Sequence, residues 1–441
     1  MKKITFSAVL CILVFTCVTA QQEKGIIGFD NWLNPWAEFK PNKTNYGEPT
    51  QILTGDITSD ITLKKRDIYL LLGDVFVTDS TTLTIEPGTV ILGDYKTRGS
   101  LTISSGSKII AEGEQTDPIV FTSNRPMKKP GDWGGLFILS DAPTNKFGNE
   151  SSLNFGLKPS NFNNITFGGE NEVSNSGILS HVRIEYAGRR TKDFGYFNGL
   201  TLAGVGNETM IENVMVSYCS GDAFSIIGGN VTLNKLVSYK SNRNDYKFNH
   251  GAQVIIENSI AVRSPYVSSP DGYRCMYVSS YNNIEDIDPT KPNTLVLASN
   301  LTMINVSDDL KYDISIGLVK EAIYIEKDAT FSLKRSVISG FNPAVFFDED
   351  IQINNENLQK INFERTYFNN CKGNIFTKYN SNNEDLESWY GSRAFDNVYS
   401  KGPDSETFID LRHPKTPDFR LRINKIVATT DSDEIDDLDD N

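Results

Sequence analysis

Apolar and polar residues alternate in short bursts along most of this chain. Residues 81–94 read TTLTIEPGTVILGD, and residues 99–113 read GSLTISSGSKIIAEG. In both, Leu-Thr-Ile steps apolar, polar, apolar, the period of a half-buried strand. Leu83, Ile85, Gly88 and Ile91 return as Leu101, Ile103, Gly106 and Ile109, 18 residues on and without a gap. Glycine at the third of these positions ends the strand and lets the chain turn. Each copy therefore predicts strand, corner, strand. Looser bursts follow at 179–188 (LSHVRIEYAG), 211–220 (IENVMVSYCS), 233–242, 256–265, 299–306, 334–341 and 364–371. Met215–Tyr218 and Leu236–Tyr239 lie 21 residues apart, and Ile260 lies 24 beyond Leu236. Helical periodicity is not sustained anywhere, and Asn, which tolerates the left-handed conformation, is frequent at the turns.

Strands recurring at a short step, with no helix between them, predict coils that stack on one another and close a common core. The expected fold is all-β, a single-stranded right-handed parallel β-helix over residues 61–375. An antiparallel sandwich is the alternative, and it would show hairpin turns instead of the 18-residue echo. A solenoid has open ends that need covering. Residues 21–60, with Trp32, Trp36 and Phe39, are expected to cap the first coil. Residues 376–428, with Trp389, Tyr390 and Phe395, are expected to cap the last. Residues 141–178, rich in Asn, Ser and Gly, read as a loop insertion, long enough to be functional or disordered. Residues 429–441 read as an acidic, solvated tail.

Lys2 and Lys3, an apolar run from Ile4 to Val18 and the small-residue site Val18-Thr19-Ala20 predict a signal peptide over residues 1–20. Cleavage before Cys17, with lipid attached there, is the alternative. The protein is thus expected to be exported, to the periplasm, the outer-membrane face or the outside. No other segment is apolar enough to span a bilayer. The net charge of −13 argues against nucleic acid, which demands a basic footprint. Cys219, Cys275 and Cys371 remain beyond the signal peptide, too few for a disulfide framework, and read as buried small apolar residues.

Candidate chemistry is sparse. His181, His250 and His413 lack zinc-ligand spacing, and Asp348-Glu349-Asp350 lacks the glycine and spacing of a calcium loop. No nucleophile elbow, phosphate loop or dinucleotide fingerprint occurs. No cofactor or metal ligand set is expected from the residues. Parallel β-helices do host polysaccharide lyases and glycoside hydrolases, which need carboxylates or calcium in a groove. Glu185, Asp222 and Asp245, in successive coil-sized segments with Lys240, Arg243 and Lys247 nearby, are the candidate catalytic acids. The loop RRTKDFGYF at 189–197 combines charges with Phe194, Tyr196 and Phe197, a mixture suited to binding a glycan or a protein. Its aromatics folding back on the coil wall is the plainer alternative.

The strings TLTIEPGTVI (82–91), PIVFTS (118–123) and GDWGG (131–135) resemble a family of secreted right-handed β-helix proteins of Bacteroidetes. So do GGENEVSNSGILSHVRIEYAG (168–188), NGLTLAGVG (198–206) and IENVMVSYCSGDAFSIIGG (211–229). The resemblance covers about residues 55–255. It implies a surface or periplasmic protein, sometimes associated with outer-membrane receptors, with no established catalysis. Relatives tend to carry acidic runs where this chain has Gly221-Asp222-Ala223-Phe224-Ser225 and Asn242-Arg243-Asn244-Asp245-Tyr246-Lys247. A calcium site implied by those runs is correspondingly depleted here. The expected function is a non-enzymatic binding or scaffold protein of the cell envelope. It would present a β-helix wall and loops to an outer-membrane or cell-surface protein, or to a glycan. A glycan-cleaving enzyme and a surface adhesin are the alternatives.

Overall fold

The computed structural model describes residues 24–422 apart from 149, 154–155, 193–194, 268–272, 372–374 and 379–382. The signal peptide, Cys17, Phe194 and the acidic tail lie outside the described residues. Among the described residues, 29 strands join one continuous, parallel hydrogen-bonded network, and the chain is an all-β solenoid.

Each turn of the solenoid lays one strand on each of three sheets. Sheet A climbs through Ile61–Leu63, Thr82–Ile85, Lys108–Glu112, the first half of Gly177–Glu185 and the first half of Met210–Ser217. It continues through Asn230–Asn234, Gln253–Glu257, Leu295–Ser299, Thr330–Lys334 and Ile361–Glu364. Sheet B follows immediately in every turn, and sheet C after a second corner. From the strand Gly177–Glu185 onward, the chain bends between A and B at one residue with positive φ. That residue is His181, Asn213, Lys235, Asn258, Asn300, Arg335 or Arg365, all between 47° and 56°. One left-handed residue swings the strand onto the next face, and Asn suits the position best. The inward positions form a core of Leu, Ile, Val and Phe running the length of the stack, with Leu83, Ile109, Leu179 and Leu233 all fully buried.

The 18-residue echo is real in sequence but is not the coil. Leu83 lies in sheet A, whereas Leu101 lies in sheet C, beside Val75 and Leu136. The residue stacked on Leu83 is Ile109, 26 positions on. The echo relates an A-to-B corner with a C-to-A corner, two edges of the same triangular prism. Register also shifts by one from the sequence expectation: Met215 pairs with Val237, and Val237 with Ile260, steps of 22 and 23. A slip of one residue exchanges inner and outer faces.

The N-terminal expectation needs correction. Gln51–Ile57 already pairs with Ile68–Val77, so the solenoid begins ahead of residue 61. Residues 24–47 do not plug the first coil. They run as a strap down the outside of sheet B. Gly25 N–H donates to the Arg335 carbonyl at 2.8 Å, and Ile27 N–H to Asn258 Oδ1 at 2.8 Å. Farther along, Arg183 Nη2 donates to the Tyr46 hydroxyl at 2.7 Å. The cause is the outward row of sheet B, which is apolar. Met215, Val237, Ile260, Val262 and Ile304 bury themselves under Ile26, Leu33, Trp36 and Phe39. The C-terminal hairpin, Phe408–Asp410 with Asp418–Leu421, completes this cover through Phe408, Phe419 and Leu421.

At the other end, Glu384–Tyr390 is a short helix over the last coil. Its Leu386 and Tyr390 join the main core. Tyr390 stacks on Phe376 at 4.4 Å and donates its hydroxyl to the Ile361 carbonyl at 2.8 Å. The described residues of the insertion are cover as well. Leu153, Leu157, Ile165 and Phe167 bury against Phe76, Phe137, Leu139, Ala203 and Ile227 on the outside of sheet C.

Candidate functional site

None of the three candidate acids faces solvent. Glu185 is outward on sheet B but lies under the strap, 1% exposed. Its register neighbours are Thr122 and Ser217. Arg183 Nε stands 3.4 Å from its Oε1, and the Thr122 hydroxyl lies beside the carboxylate. Burial pushes the Glu185 carboxyl up, and the Arg183 charge opposes it. Asp222 is buried at a corner, where its Oδ1 accepts from Asn244 N–H at 3.0 Å and from Asn244 Nδ2 at 2.9 Å. Asp245 is wholly buried, with Ser238 Oγ at 2.5 Å and Arg263 Nη1 at 3.0 Å. Their even spacing along the chain reflects coil repetition. It does not give them a shared groove, and as catalytic acids they are withdrawn.

The Glu185 environment makes a prediction. A carboxyl whose folded pKa is raised holds its proton in the native state over a window above the ordinary value of 4.5. Native stability therefore falls as pH rises through that window. Glu185→Gln removes the titration. The variant should match the wild type near pH 4 and exceed it in thermal midpoint at pH 7, followed by circular dichroism. A difference independent of pH, or a weaker variant at pH 7, would mean that Arg183 depends on a charged partner.

The loop at 189–197 divides. Arg190–Thr191 and Gly195–Tyr196 pair as a small antiparallel hairpin. Tyr196 is half-buried, with the Arg190 guanidinium 5.6 Å from its ring centre. Phe197 is 0% exposed. Phe137 packs edge-on at 5.2 Å, and the Arg189 guanidinium lies 4.3 Å over its ring. Phe197 offers nothing to a partner, because sheet C needs its ring as cover. Arg189 is itself anchored on Asp74 at 2.8 Å.

What the insertion leaves bare on sheet C is a more coherent surface. Its middle strands are Tyr246–Asn249, Met276–Val278, Ile323–Ile325 and Val345–Phe347, in successive coils. Their outward residues are Lys247, Tyr277, Tyr324 and Phe346, all part-exposed. Tyr277 and Tyr324 stack at 5.5 Å and 6°, and Tyr324 and Phe346 at 5.6 Å and 5°. Lys247 Nζ sits 5.5 Å from the Tyr277 ring centre, and the Arg274 guanidinium 4.4 Å from that of Tyr324. Arg274 is held by Glu321 at 2.6 Å. Acids line the other side. Tyr277 donates its hydroxyl to Glu326 in a very short hydrogen bond, and Tyr324 donates to Asp348 at 2.6 Å. Burial raises the Glu326 carboxyl. The Tyr277 hydrogen bond opposes the rise, and the Asp348 charge adds to it.

The faces of these rings are occupied by one another. The strip therefore offers ring edges, hydroxyls, carboxylates and cations, repeating along the axis. Such an array suits a polar polymer laid parallel to the solenoid. The sequence conceals it, because Tyr277, Tyr324 and Phe346 lie 47 and 22 residues apart across coils of unequal length. The one local sign is an aromatic centred in a three-residue apolar strand, MYV, IYI and VFF.

Among the described residues, no group of three or more His, Cys, Asp or Glu is arranged to hold a metal ion. No helix there is long and apolar enough to cross a membrane. Cys219, Cys275 and Cys371 are free and buried.

A search of curated proteins finds no match to this sequence. Among solved structures, an alginate lyase from Paenibacillus aligns over 80% of this chain and 98% of its own. Identity is 8% and the TM-score 0.27, too loose for any residue to be carried across. The model of the pectate-lyase-like beta helix domain matches residues 55–405, from the first coil through the helix over the last one. The chain belongs to that family.

Proposed function

We propose that this is an exported glycan-binding protein of the cell envelope, and that it holds its ligand along the bare strip of sheet C. The observation behind this reading is the axial array Lys247, Tyr277, Tyr324 and Phe346, bracketed by Arg274 on one side and Glu326 and Asp348 on the other. Repeating donors and acceptors at coil spacing favour a polymer with repeating hydroxyls.

One observation favours a second reading, glycan cleavage. Glu326 is a half-buried carboxyl with a raised pKa, hydrogen-bonded to a phenol at the edge of the strip. Such groups concentrate at catalytic sites. A single experiment separates the two. A polysaccharide panel is titrated against wild type, Tyr324→Ala and Glu326→Gln, with binding and newly formed chain ends both measured. Binding is expected without product, weakened roughly tenfold or more by Tyr324→Ala, the scale of about 1.4 kcal/mol for a central contact. Product release that Glu326→Gln abolishes would establish the enzyme reading instead. Retention of full affinity by Tyr324→Ala would remove the strip from the site.

A further inference from the structure

The strap borders a hollow on sheet B's side, away from the strip. Residues 27–34, IGFDNWLN, form a turn fixed at several points. Asn258 accepts from Ile27 N–H at 2.8 Å and donates to the Ile27 carbonyl at 3.1 Å. Arg420 Nη1 donates to the carbonyls of Gly28 and Phe29, both at 3.0 Å. Asn31 Nδ2 donates to the Pro417 carbonyl at 2.9 Å. Trp32 stacks on Trp36 at 6.4 Å, and Trp36 Nε1 donates back to the Trp32 carbonyl at 2.8 Å.

A turn this well anchored would be expected to tuck its large apolar residue inward. Phe29 instead stands 99% exposed. It borders an open hollow of about 560 Å³ whose other walls include Asp30, Trp32, Asn34, Gln115 and Lys235. Two aromatic rings stand among three amides (Asn31, Asn34 and Gln115), one acid and one ammonium. The amides offer both donors and acceptors, and the two charges cancel. A ligand with apolar faces, many hydroxyls and no net charge answers this lining.

We propose that the hollow binds a short neutral oligosaccharide, with sugar faces against Phe29 and Trp32 and hydroxyls on Asp30, Asn34, Gln115 and Lys235. The site is separate from the sheet C strip and does not depend on the function proposed for it. Preorganisation by Asn258, Arg420 and Asn31 lowers the ordering cost of binding.

The test is calorimetric titration of the intact protein with neutral oligomers of glucose, xylose, mannose and N-acetylglucosamine, and with uronate oligomers. It compares wild type, the double variant Phe29→Ala with Asp30→Ala, and Tyr324→Ala. Phe29 and Asp30 are exposed, so the double variant should keep the wild-type thermal midpoint. A neutral oligomer is expected to bind, to lose at least tenfold in affinity in the double variant, and to keep its affinity in Tyr324→Ala. The proposal is overturned if no neutral oligomer binds or if only uronates bind. It is overturned equally if the double variant binds unchanged while Tyr324→Ala does not. Trp32→Phe adds a second readout: ligand-induced change in tryptophan fluorescence should shrink in that variant, and an undiminished change counts against the site.

Discussion

Asp245→Ala should destabilise the middle of the solenoid by about 3–5 kcal/mol, the usual cost of stripping one partner from a buried ion pair. Asp245 is 0% exposed and Arg263 3%. The variant leaves the guanidinium inside the stack with carbonyl acceptors alone, those of Arg243 at 2.8 Å and Ser241 at 3.3 Å among them. Solenoid coils interact chiefly with their neighbours, so the loss should appear first as local opening. Cys275 reports on it. Its thiol is fully buried beside Asp245, and burial pushes its pKa well up. Thiol labelling of Cys275, measured with Cys219 and Cys371 as internal controls, should accelerate by roughly a hundredfold or more if reclosing outpaces labelling. An unchanged rate would mean that the carbonyls alone satisfy Arg263. The double replacement Asp245→Leu with Arg263→Met should recover only part of the loss. It removes both charges but orphans the carbonyls that Arg263 now serves.

The same pair shows how far the sequence could be read. Alternation located the strands, since it depends only on which residues face inward. It could not say which of the three faces a strand belongs to. Leu83 and Leu101 are chemically equivalent inward residues, yet one lies on sheet A and the other on sheet C. Asp222 and Asp245 are spaced like wall residues, but they lie at corners, where a side chain can turn inward and bind backbone. Asp222 does so by accepting from the Asn244 backbone N–H. The bare strip was illegible for a related reason. Insertions make the vertical step 30 between Lys247 and Tyr277 and 47 between Tyr277 and Tyr324, so no fixed period brings the rings together. Only the register of hydrogen bonds does.

The strap was hidden for a different reason, and its removal should have the second large effect. Residues 24–47 have no periodicity because they pair with no strand. They follow a groove made by other residues' side chains. Trp36 is the anchor. It is 0% exposed, stacked on Trp32 and edge-on to His181 at 5.7 Å. Trp36→Ala should cost about 3–5 kcal/mol at that point, as for other buried Trp→Ala changes. The strap adds no strand to the three sheets, so the loss should release it while the stack stays folded. Far-ultraviolet circular dichroism should then remain that of a β-helix. Limited proteolysis should begin cutting within residues 24–47, and a hydrophobic dye should bind the uncovered row of Met215, Val237, Ile260, Val262 and Ile304. Protection equal to the wild type would place the anchorage in Ile26, Leu33 and Phe39 together with the hairpin residues Phe408 and Phe419. Collapse of the β-helix signal itself would show that the flank cover is part of the stack's own cooperative unit, and that the coils of sheet B cannot stand with their outer face wet.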